Sequence, residues 1–116
     1  MQLLTICKSK IHRATVTGAD VDYVGSIAID QDLMERAGIK KGEMVQVWNV
    51  DNGNRFETYT IAAGAGSGTI GIRGAAALLC KRGDKVIIVA FVLTDEEIEP
   101  RMILVDENNR YVRELG

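Results

Sequence analysis

The sequence is poor in cysteine, contains no long hydrophobic run and has no excess of basic residues. Its two cysteines, Cys7 and Cys80, lie far apart and have neither the spacing of metal ligands nor the density of a disulfide scaffold. No apolar run approaches the length of a membrane-spanning helix, and the N-terminus lacks the basic start and apolar core of a signal peptide. We therefore expect a cytoplasmic protein with both thiols reduced and buried, without a metal site and without a membrane partner.

Basic residues do not outnumber acidic residues. The formal net charge is −2, and the one basic cluster, at Lys8, Lys10, His12 and Arg13, is too short for a nucleic-acid interface. Alternation along a strand would also place these side chains on both of its faces. Nucleic acid is therefore not expected as a partner.

The remaining composition is that of a globular protein. Apolar residues make up 47% of the 116 residues and charged residues 26%. A chain of this length supports one hydrophobic core, so residues 1–116 are predicted to form a single domain.

Most of the chain has the alternating or continuous apolar pattern of β-strands. The predicted strands are residues 2–7, 10–17, 43–50, 55–62, 69–72, 85–93, 101–105 and 110–114, with an extended segment over 21–29 after a turn at Gly18–Asp20. The strand over residues 85–93 is continuously apolar, which predicts burial on both of its faces.

Local signals predict the connections between these strands. Asp30 is a good N-cap for a helix over residues 31–37, and Gly38 is placed to end that helix. Asn52–Gly53 predicts a hairpin with a type I′ turn. The glycine-rich loop Gly64–Gly68 is expected to be a flexible connection, since neither a Lys-Ser/Thr pair nor a helix follows it.

One internal similarity bears on the fold. Ser26–Ile29, a short helix and Lys40–Val45 recur as Thr69–Ile72, a tight turn or short helix over Gly74–Leu79, and Lys81–Val86. Such a repeat implies a pseudo-twofold core. With about six short strands and no helix long enough to cover a sheet, closure into a mainly β barrel would bury the strand edges. The apolar strand ends and loops left over favour a symmetric oligomer.

The dipeptide Gly25–Ser26 stands at the start of an apolar alternating run. A serine hydroxyl can attack the carbonyl of its own preceding peptide bond when the backbone is bent and a donor stabilises the oxyanion, and glycine obstructs this attack least. Loss of the acyl part by β-elimination, followed by hydrolysis, would convert Ser26 to a pyruvoyl group. Taken alone, Gly-Ser more often marks an ordinary turn, so the flanking residues must decide.

Those flanking residues resemble the aspartate 1-decarboxylase family, whose pyruvoyl-dependent members make β-alanine for pantothenate. The resemblance runs in order from about Met1 to Leu104. It is carried by Lys10 to Thr17, Ala19-Asp20, Tyr23, Gly25-Ser26, Ile29-Asp30, Asn52-Gly53, Arg55-Phe56, Thr58-Tyr59 and Gly74-Ala75-Ala76-Ala77.

The resemblance implies a six-stranded double-psi β-barrel, a homotetramer and a proenzyme that cuts itself between Gly25 and Ser26. It implies a small chain of residues 1–25 and a larger chain of residues 26–116, whose first residue becomes the pyruvoyl cofactor. The ketone would form a Schiff base with the amine of L-aspartate and draw electrons from the departing carboxylate, without a metal or pyridoxal phosphate. Whether cleavage is spontaneous or needs an accessory maturation protein stays open.

The resemblance also implies roles for residues near the cleavage point. Tyr59 is the expected proton donor to the carbanion that carbon dioxide leaves behind. Thr58 and Tyr23 are expected to support processing at Gly25–Ser26, and Thr58 is also expected to contact substrate. Without the resemblance, Tyr59 and Thr58 would be interpreted as ordinary strand residues that pack across the hairpin.

Substrate contacts are expected from two kinds of residue. Arg55 offers a planar fork for a carboxylate and Lys10 a second positive charge, although charged side chains are more often simply exposed to solvent. The backbone of the small residues Gly74, Ala75 and Ala76 is expected to approach the substrate, or otherwise to form a tight turn.

Two further residues have alternative interpretations. The lone histidine, His12, would tune ionisation near neutral pH or be structural. Arg73 stands where the family has asparagine, and it either points to solvent or contacts a carboxylate, with an effect on amino-acid preference.

Two other functions compete with a self-processing decarboxylase. One is a barrel that never matures and serves as a binding or scaffold module. The other is a small nucleic-acid-binding barrel, which the acidic composition disfavours.

Overall fold

The computed structural model describes all 116 residues, and β-strands dominate it. The strands are β1 (Leu4–Thr15), β2 (Gly18–Asp20), β3 (Ser26–Asp30), β4 (Met44–Asn49), β5 (Arg55–Ala63), β6 (Ile70–Arg73), β7 (Lys85–Thr94), β8 (Arg101–Val105) and β9 (Tyr111–Leu115). The helices are α1 (Gln31–Ala37) and a 3₁₀ helix (Gly74–Leu78). Neither helix has the length and apolar character needed to cross a membrane. The predicted mainly β fold class is confirmed.

The nine strands form one hydrogen-bonded sheet in the order β2-β6-β3-β5-β4-β7-β1-β8-β9. β1 passes into β2 after two residues, and in that passage the Thr17 backbone N–H donates to the Ile70 carbonyl at 2.8 Å. Two strands far apart in the sheet order are therefore consecutive in the chain, which favours a sheet that curves back on itself. Closure as a six-stranded double-psi β-barrel stays a prediction.

Strand pairing follows the internal repeat. β3 and β6 pair antiparallel with Ala28 opposite Gly71, and β4 and β7 pair antiparallel with Val47 opposite Ile88. In the repeat, Ala28 aligns with Gly71 and Val47 aligns with Ile88, so each pair joins two equivalent positions. This is the relationship that a pseudo-twofold axis between the two halves requires.

One hydrophobic core of 19 buried residues joins the two halves. Ile27 and Ile29 of β3 face this core and are fully buried. The intervening residues of β3 are buried as well, because the other side of the strand is also covered. Each such apolar side chain contributes about 1.5–3 kcal/mol to stability, so β3 is firmly anchored in the sheet.

Helix α1 begins and ends as predicted. The Asp30 side chain accepts a hydrogen bond from the Asp32 backbone N–H at 2.9 Å, and Gly38 ends the helix with φ 73°. The Asp30 carboxylate also accepts from the backbone N–H groups of Gly66 and Gly68, at 3.0 and 2.8 Å. The loop Gly64–Gly68 is thus held in place by a buried carboxylate, which corrects the expectation of a flexible connection.

β1 is one strand where the sequence predicts two. Between Ile11 and Ala14 it has one residue more than β7 opposite, and Arg13 adopts φ 63°. This β-bulge interrupts the alternation of inward and outward side chains. Ile11 and Ala14 are therefore both buried, whereas His12 is only half-buried.

The segment before β3 also differs from the prediction. Gly18–Asp20 form β2 instead of a turn because they pair in parallel with β6, a partner that lies far away in sequence. Residues 21–25 form a loop and not an extended strand, and β3 begins at Ser26.

Three smaller expectations need correction. In the β4–β5 hairpin only Gly53 has a positive φ, at 78°, whereas a type I′ turn needs two such residues. Burial on both faces of β7 is confined to residues 88–90, and the C-terminal part of the strand, beyond Val89, has no partner in β4. Both cysteines are free, but only Cys80 is buried, and Cys7 is partly exposed near the edge of the core.

Candidate active site

The Gly25–Ser26 peptide lies where a loop enters the sheet. Ser26 is the first residue of β3 and is 3% exposed, whereas residues 21–24 are exposed to solvent. Antiparallel pairing with β6 places Ser26 opposite Arg73. The nucleophile is therefore fixed by the sheet, and the carbonyl that it would attack belongs to a loop residue.

Gly74 packs against the backbone of this loop. It has φ 79°, and a Cβ placed on it would lie 2.5 Å from the Gly25 Cα and 3.2 Å from the Tyr23 carbonyl oxygen. Both the left-handed backbone and the lack of space require glycine at this position. The first residue of the 3₁₀ helix, a steric wedge from here on, thus packs against the backbone on the carbonyl side of the predicted cleavage bond.

β5 brings Thr58 and Tyr59 alongside the cleavage point. β3 and β5 run parallel, and their pairing begins with Ile27 opposite Thr60. If the same register is continued back by one residue, Ser26 lies beside Tyr59. One residue further back, Gly25, whose carbonyl belongs to the predicted cleavage bond, lies beside Thr58. The two candidates that sequence similarity indicates are the two β5 residues next to the bond.

Thr58 and Tyr59 nevertheless face opposite sides of the sheet. Thr58 is opposite the buried Val45, and Tyr59 is opposite Met44, which is 60% exposed. Ser26 points to the same outer side as Tyr59, since the next residue of β3 faces the core. A phenol is therefore available on the face of the sheet to which the Ser26 side chain projects.

A second group of candidates surrounds Trp48. The Arg55 guanidinium carbon lies 4.1 Å and the Lys10 Nζ 5.7 Å from the centroid of the indole ring. Trp48 pairs directly with Arg55 across the hairpin, and its Nε1–H donates to the Gln46 side chain at 3.0 Å. Sequence reasoning did not select Trp48, although its position opposite Arg55 follows from the Asn52–Gly53 hairpin.

His12 lies on the same strand as Lys10, two residues further along. Partial burial lowers the pKa of its imidazole below the ordinary 6.5, and the positive charges of Lys10 and Arg13 lower this pKa further. The ring is therefore neutral at pH 7 and is available as a hydrogen-bond acceptor.

The two groups of residues are separated within one chain. Arg55 and Tyr59 lie on the same face of β5, four residues apart. At roughly 3.3 Å per residue, their Cα atoms are about 13 Å apart. Ser26, Tyr59 and Gly74 thus form one half of the candidate site, and Lys10, Trp48 and Arg55 form another.

Arg73 and the two alanines of the 3₁₀ helix have distinct surroundings. The guanidinium carbon of Arg73 lies 5.1 Å from the centroid of the Tyr23 ring. Ala75 is exposed beside the wedge, while Ala76 packs against the core. Of the two alanines, Ala75 is the one whose backbone is open to a ligand.

Comparisons with known proteins agree with one another. A family model described as Aspartate decarboxylase matches residues 1–112. The Aspartate 1-decarboxylase of Caldicellulosiruptor saccharolyticus is 56% identical over 115 residues, covering 96% of this chain and 90% of that protein. The protein of the same name from Carboxydothermus hydrogenoformans is 53% identical over 114 residues, covering 95% of this chain and 90% of its own. That from Leptospira biflexa is 52% identical over 113 residues, with 93% and 96% covered.

Proposed function

The chain belongs to the aspartate decarboxylase family, and from this membership we propose that it matures by cutting itself between Gly25 and Ser26. The protein converts L-aspartate to β-alanine and carbon dioxide, and the β-alanine serves pantothenate and coenzyme A biosynthesis. The single observation that carries self-cleavage is the wedge of Gly74 against Gly25, directly beside a buried serine.

The proposed cleavage needs one water molecule and no other reactant. The Ser26 Oγ attacks the Gly25 carbonyl, the peptide C–N bond breaks, and the proton of the hydroxyl passes to the freed amine. Removal of the Cα proton of residue 26 then breaks the Cβ–Oγ bond, and Gly25 leaves as a carboxylate. Water hydrolyses the resulting enamine, releases ammonia and leaves the pyruvoyl group. The attack benefits from proximity, since both partners are held in one backbone.

The surroundings of Ser26 fit a small electrophile at the head of a strand. Residue 26 is buried and β3 fixes its backbone, so the group would be held without a separate binding site. The pyruvoyl ketone supplies an amine trap and an electron sink for the departing carboxylate. Tyr59, on the same face, is placed to deliver the proton that replaces carbon dioxide. Thr58, beside Gly25 in the register, supports cleavage and then contacts the substrate.

Arg55 and Lys10 bind the substrate carboxylates in this proposal. The guanidinium of Arg55 and the ammonium group of Lys10 both lie over the Trp48 ring, so the indole holds two positive charges close together. The distance of about 13 Å along β5 exceeds the length of a four-carbon amino acid. We propose that Arg55 of one chain serves the Ser26 of a second copy, in keeping with the proposed homotetramer.

Exposed apolar side chains are available for such an assembly. Val24, which lies two residues before Ser26, is 81% exposed, and Leu78, at the end of the 3₁₀ helix, is 79% exposed. Burial of such side chains between subunits stabilises an oligomer.

We further propose a cytoplasmic enzyme with a double-psi β-barrel in each subunit, in which a small chain of residues 1–25 and a large chain of residues 26–116 remain associated. A maturation factor is compatible with the exposed loop over residues 21–24.

A related decarboxylase with another amino-acid preference is the second candidate. The observation that favours it is Arg73, a cation on the residue opposite Ser26. Comparing aspartate with glutamate turnover in the native protein and in Arg73→Asn would decide between the two substrates.

Labelling of the ketone tests the proposed function. Borohydride reduction in the presence of L-aspartate should attach the amino acid covalently to residue 26 and abolish the release of carbon dioxide. Ser26→Ala should give neither the attachment nor the gas. A native protein that binds no aspartate and releases no carbon dioxide would favour a scaffold or binding module instead.

A further inference from the structure

Arg73 contacts the cleavage segment by a route separate from its strand pairing. Its backbone pairs with Ser26, while its guanidinium lies over the ring of Tyr23, two residues before the scissile bond. Arg73 therefore contacts residues on both sides of the predicted cleavage bond, through its main chain at Ser26 and through its side chain at Tyr23.

The loop that carries Tyr23 has few other restraints. Residues 21–24 are exposed, and the strand hydrogen bonds begin at Ser26. Within the loop, the Asp22 backbone N–H donates to the Asp20 side chain at 2.9 Å. The contact with Gly74 limits how closely Gly25 can approach β6, but steric contact alone does not prevent the loop from moving away from β6. An attractive contact on the same side is needed for that.

We propose that Arg73 is a positioning residue for self-cleavage, which holds the Tyr23 ring and thereby keeps the Gly25 carbonyl within reach of the Ser26 hydroxyl. The inference rests on the proposed self-cleavage of the chain. Attack requires the two reacting groups to be about 3–3.5 Å apart, and a displacement of 1 Å can slow a reaction by about a hundredfold. A guanidinium stacked on a partly exposed ring shifts an equilibrium by roughly two- to fivefold.

The first experiment measures the rate of cleavage of freshly purified precursor by intact mass. Arg73→Met should slow cleavage about two- to fivefold or more, and Arg73→Lys, which keeps a cation, should slow it less. Tyr23→Leu should slow it by a similar factor, because leucine has no aromatic ring for the guanidinium to lie over. The double variant with Arg73→Met and Tyr23→Leu should be no slower than either single variant. Arg82→Met is the matched control, because Arg82 is exposed in a turn away from this loop.

The second experiment does not depend on cleavage. In a Ser26→Ala background, the additional change Arg73→Met should make chymotrypsin cut after Tyr23 several times faster. The melting temperatures of the two variants should be the same. If the native chain never cleaves itself, the proposed function fails and digestion alone decides whether Arg73 restrains the loop. If the native chain cleaves, and Arg73→Met cleaves and digests at the native rate, the inference about Arg73 is overturned while the proposed function stands. Additive effects of Arg73→Met and Tyr23→Leu would also overturn it.

Discussion

Gly74 and Gly25 touch backbone to backbone: a Cβ on Gly74 would lie 2.5 Å from the Gly25 Cα and 2.8 Å from its nitrogen. Real Cβ atoms do not approach other atoms so closely, and the nearby atoms are main chain and cannot rotate away. Any larger residue at position 74 must therefore displace the loop that carries the scissile carbonyl.

Gly74→Ala should slow self-cleavage at least tenfold, because the added methyl group pushes Gly25 away from the Ser26 hydroxyl. The φ of 79° adds a cost of about 1–2 kcal/mol for any residue with a Cβ. A time course of intact mass measures the first effect and thermal unfolding the second.

Gly71→Ala is the control for this variant. A Cβ on Gly71 would lie 3.7 Å from the Ala28 Cβ, an ordinary contact, on the strand that leads into Gly74. Gly71→Ala should cleave at the native rate. Equal rates for Gly74→Ala and the native chain would contradict the proposed role of the wedge.

Tyr59→Phe should separate processing from turnover. The ring remains, so strand packing and self-cleavage should proceed as in the native chain. Loss of the hydroxyl should lower kcat for aspartate by about a hundredfold or more, the usual contribution of a positioned general acid. Tyr111→Phe, whose ring stacks on Arg36 at 4.0 Å, is the matched control and should have native kcat. Native turnover in Tyr59→Phe would exclude this phenol as the donor.

Arg55→Gln should raise KM for aspartate and lower kcat/KM by roughly ten- to a hundredfold, the usual value of a hydrogen bond to a charged group. Cleavage should be unaffected, because Arg55 lies four residues from Tyr59 along β5. Arg82→Gln removes an equal charge from an exposed turn and should leave KM as it is. Equal increases in KM with Arg55→Gln and Arg82→Gln would point to a general charge effect, and an unchanged KM with Arg55→Gln would contradict the proposed contact.

The pKa of His12 should lie below 6.5 in an NMR titration of the folded protein, chiefly because burial disfavours the charged ring. Lys10→Met should raise this pKa, but only in part, since the Lys10 charge is the smaller cause. Because the unfolded chain binds the proton more readily, the free energy of unfolding should rise with pH between the folded pKa and 6.5 and should fall on acidification. His12→Gln should remove this slope. A measured pKa at or above 6.5 would contradict these surroundings of the ring.

Local signals in the sequence predict the local parts of this fold. Asp30 and Gly38 specify the ends of α1 because an N-cap carboxylate and a left-handed glycine act within one turn of the helix. The parts that depend on distant partners are not predictable in this way. Gly18–Asp20 have the composition of a turn and become a strand only through pairing with β6, and the bulge at Arg13 becomes visible only in the register with β7.

The candidate site shows the same division. Residues adjacent in sequence, such as Thr58 and Tyr59, can be selected from the family resemblance. The observed pairing of the next residue, Thr60, with Ile27 brings this part of β5 close to the start of β3. The stacking of Arg55 on Trp48 could have been inferred from their hairpin pairing. The contact of Gly74 with Gly25 could not, because it depends on how distant segments are arranged in space.

Intact mass of the purified protein under denaturing conditions tests self-cleavage most directly. We predict two chains that divide between Gly25 and Ser26, whose summed mass equals that of the precursor plus one water minus one ammonia. A single chain with an unmodified serine at position 26, in a preparation that consumes aspartate, would contradict it.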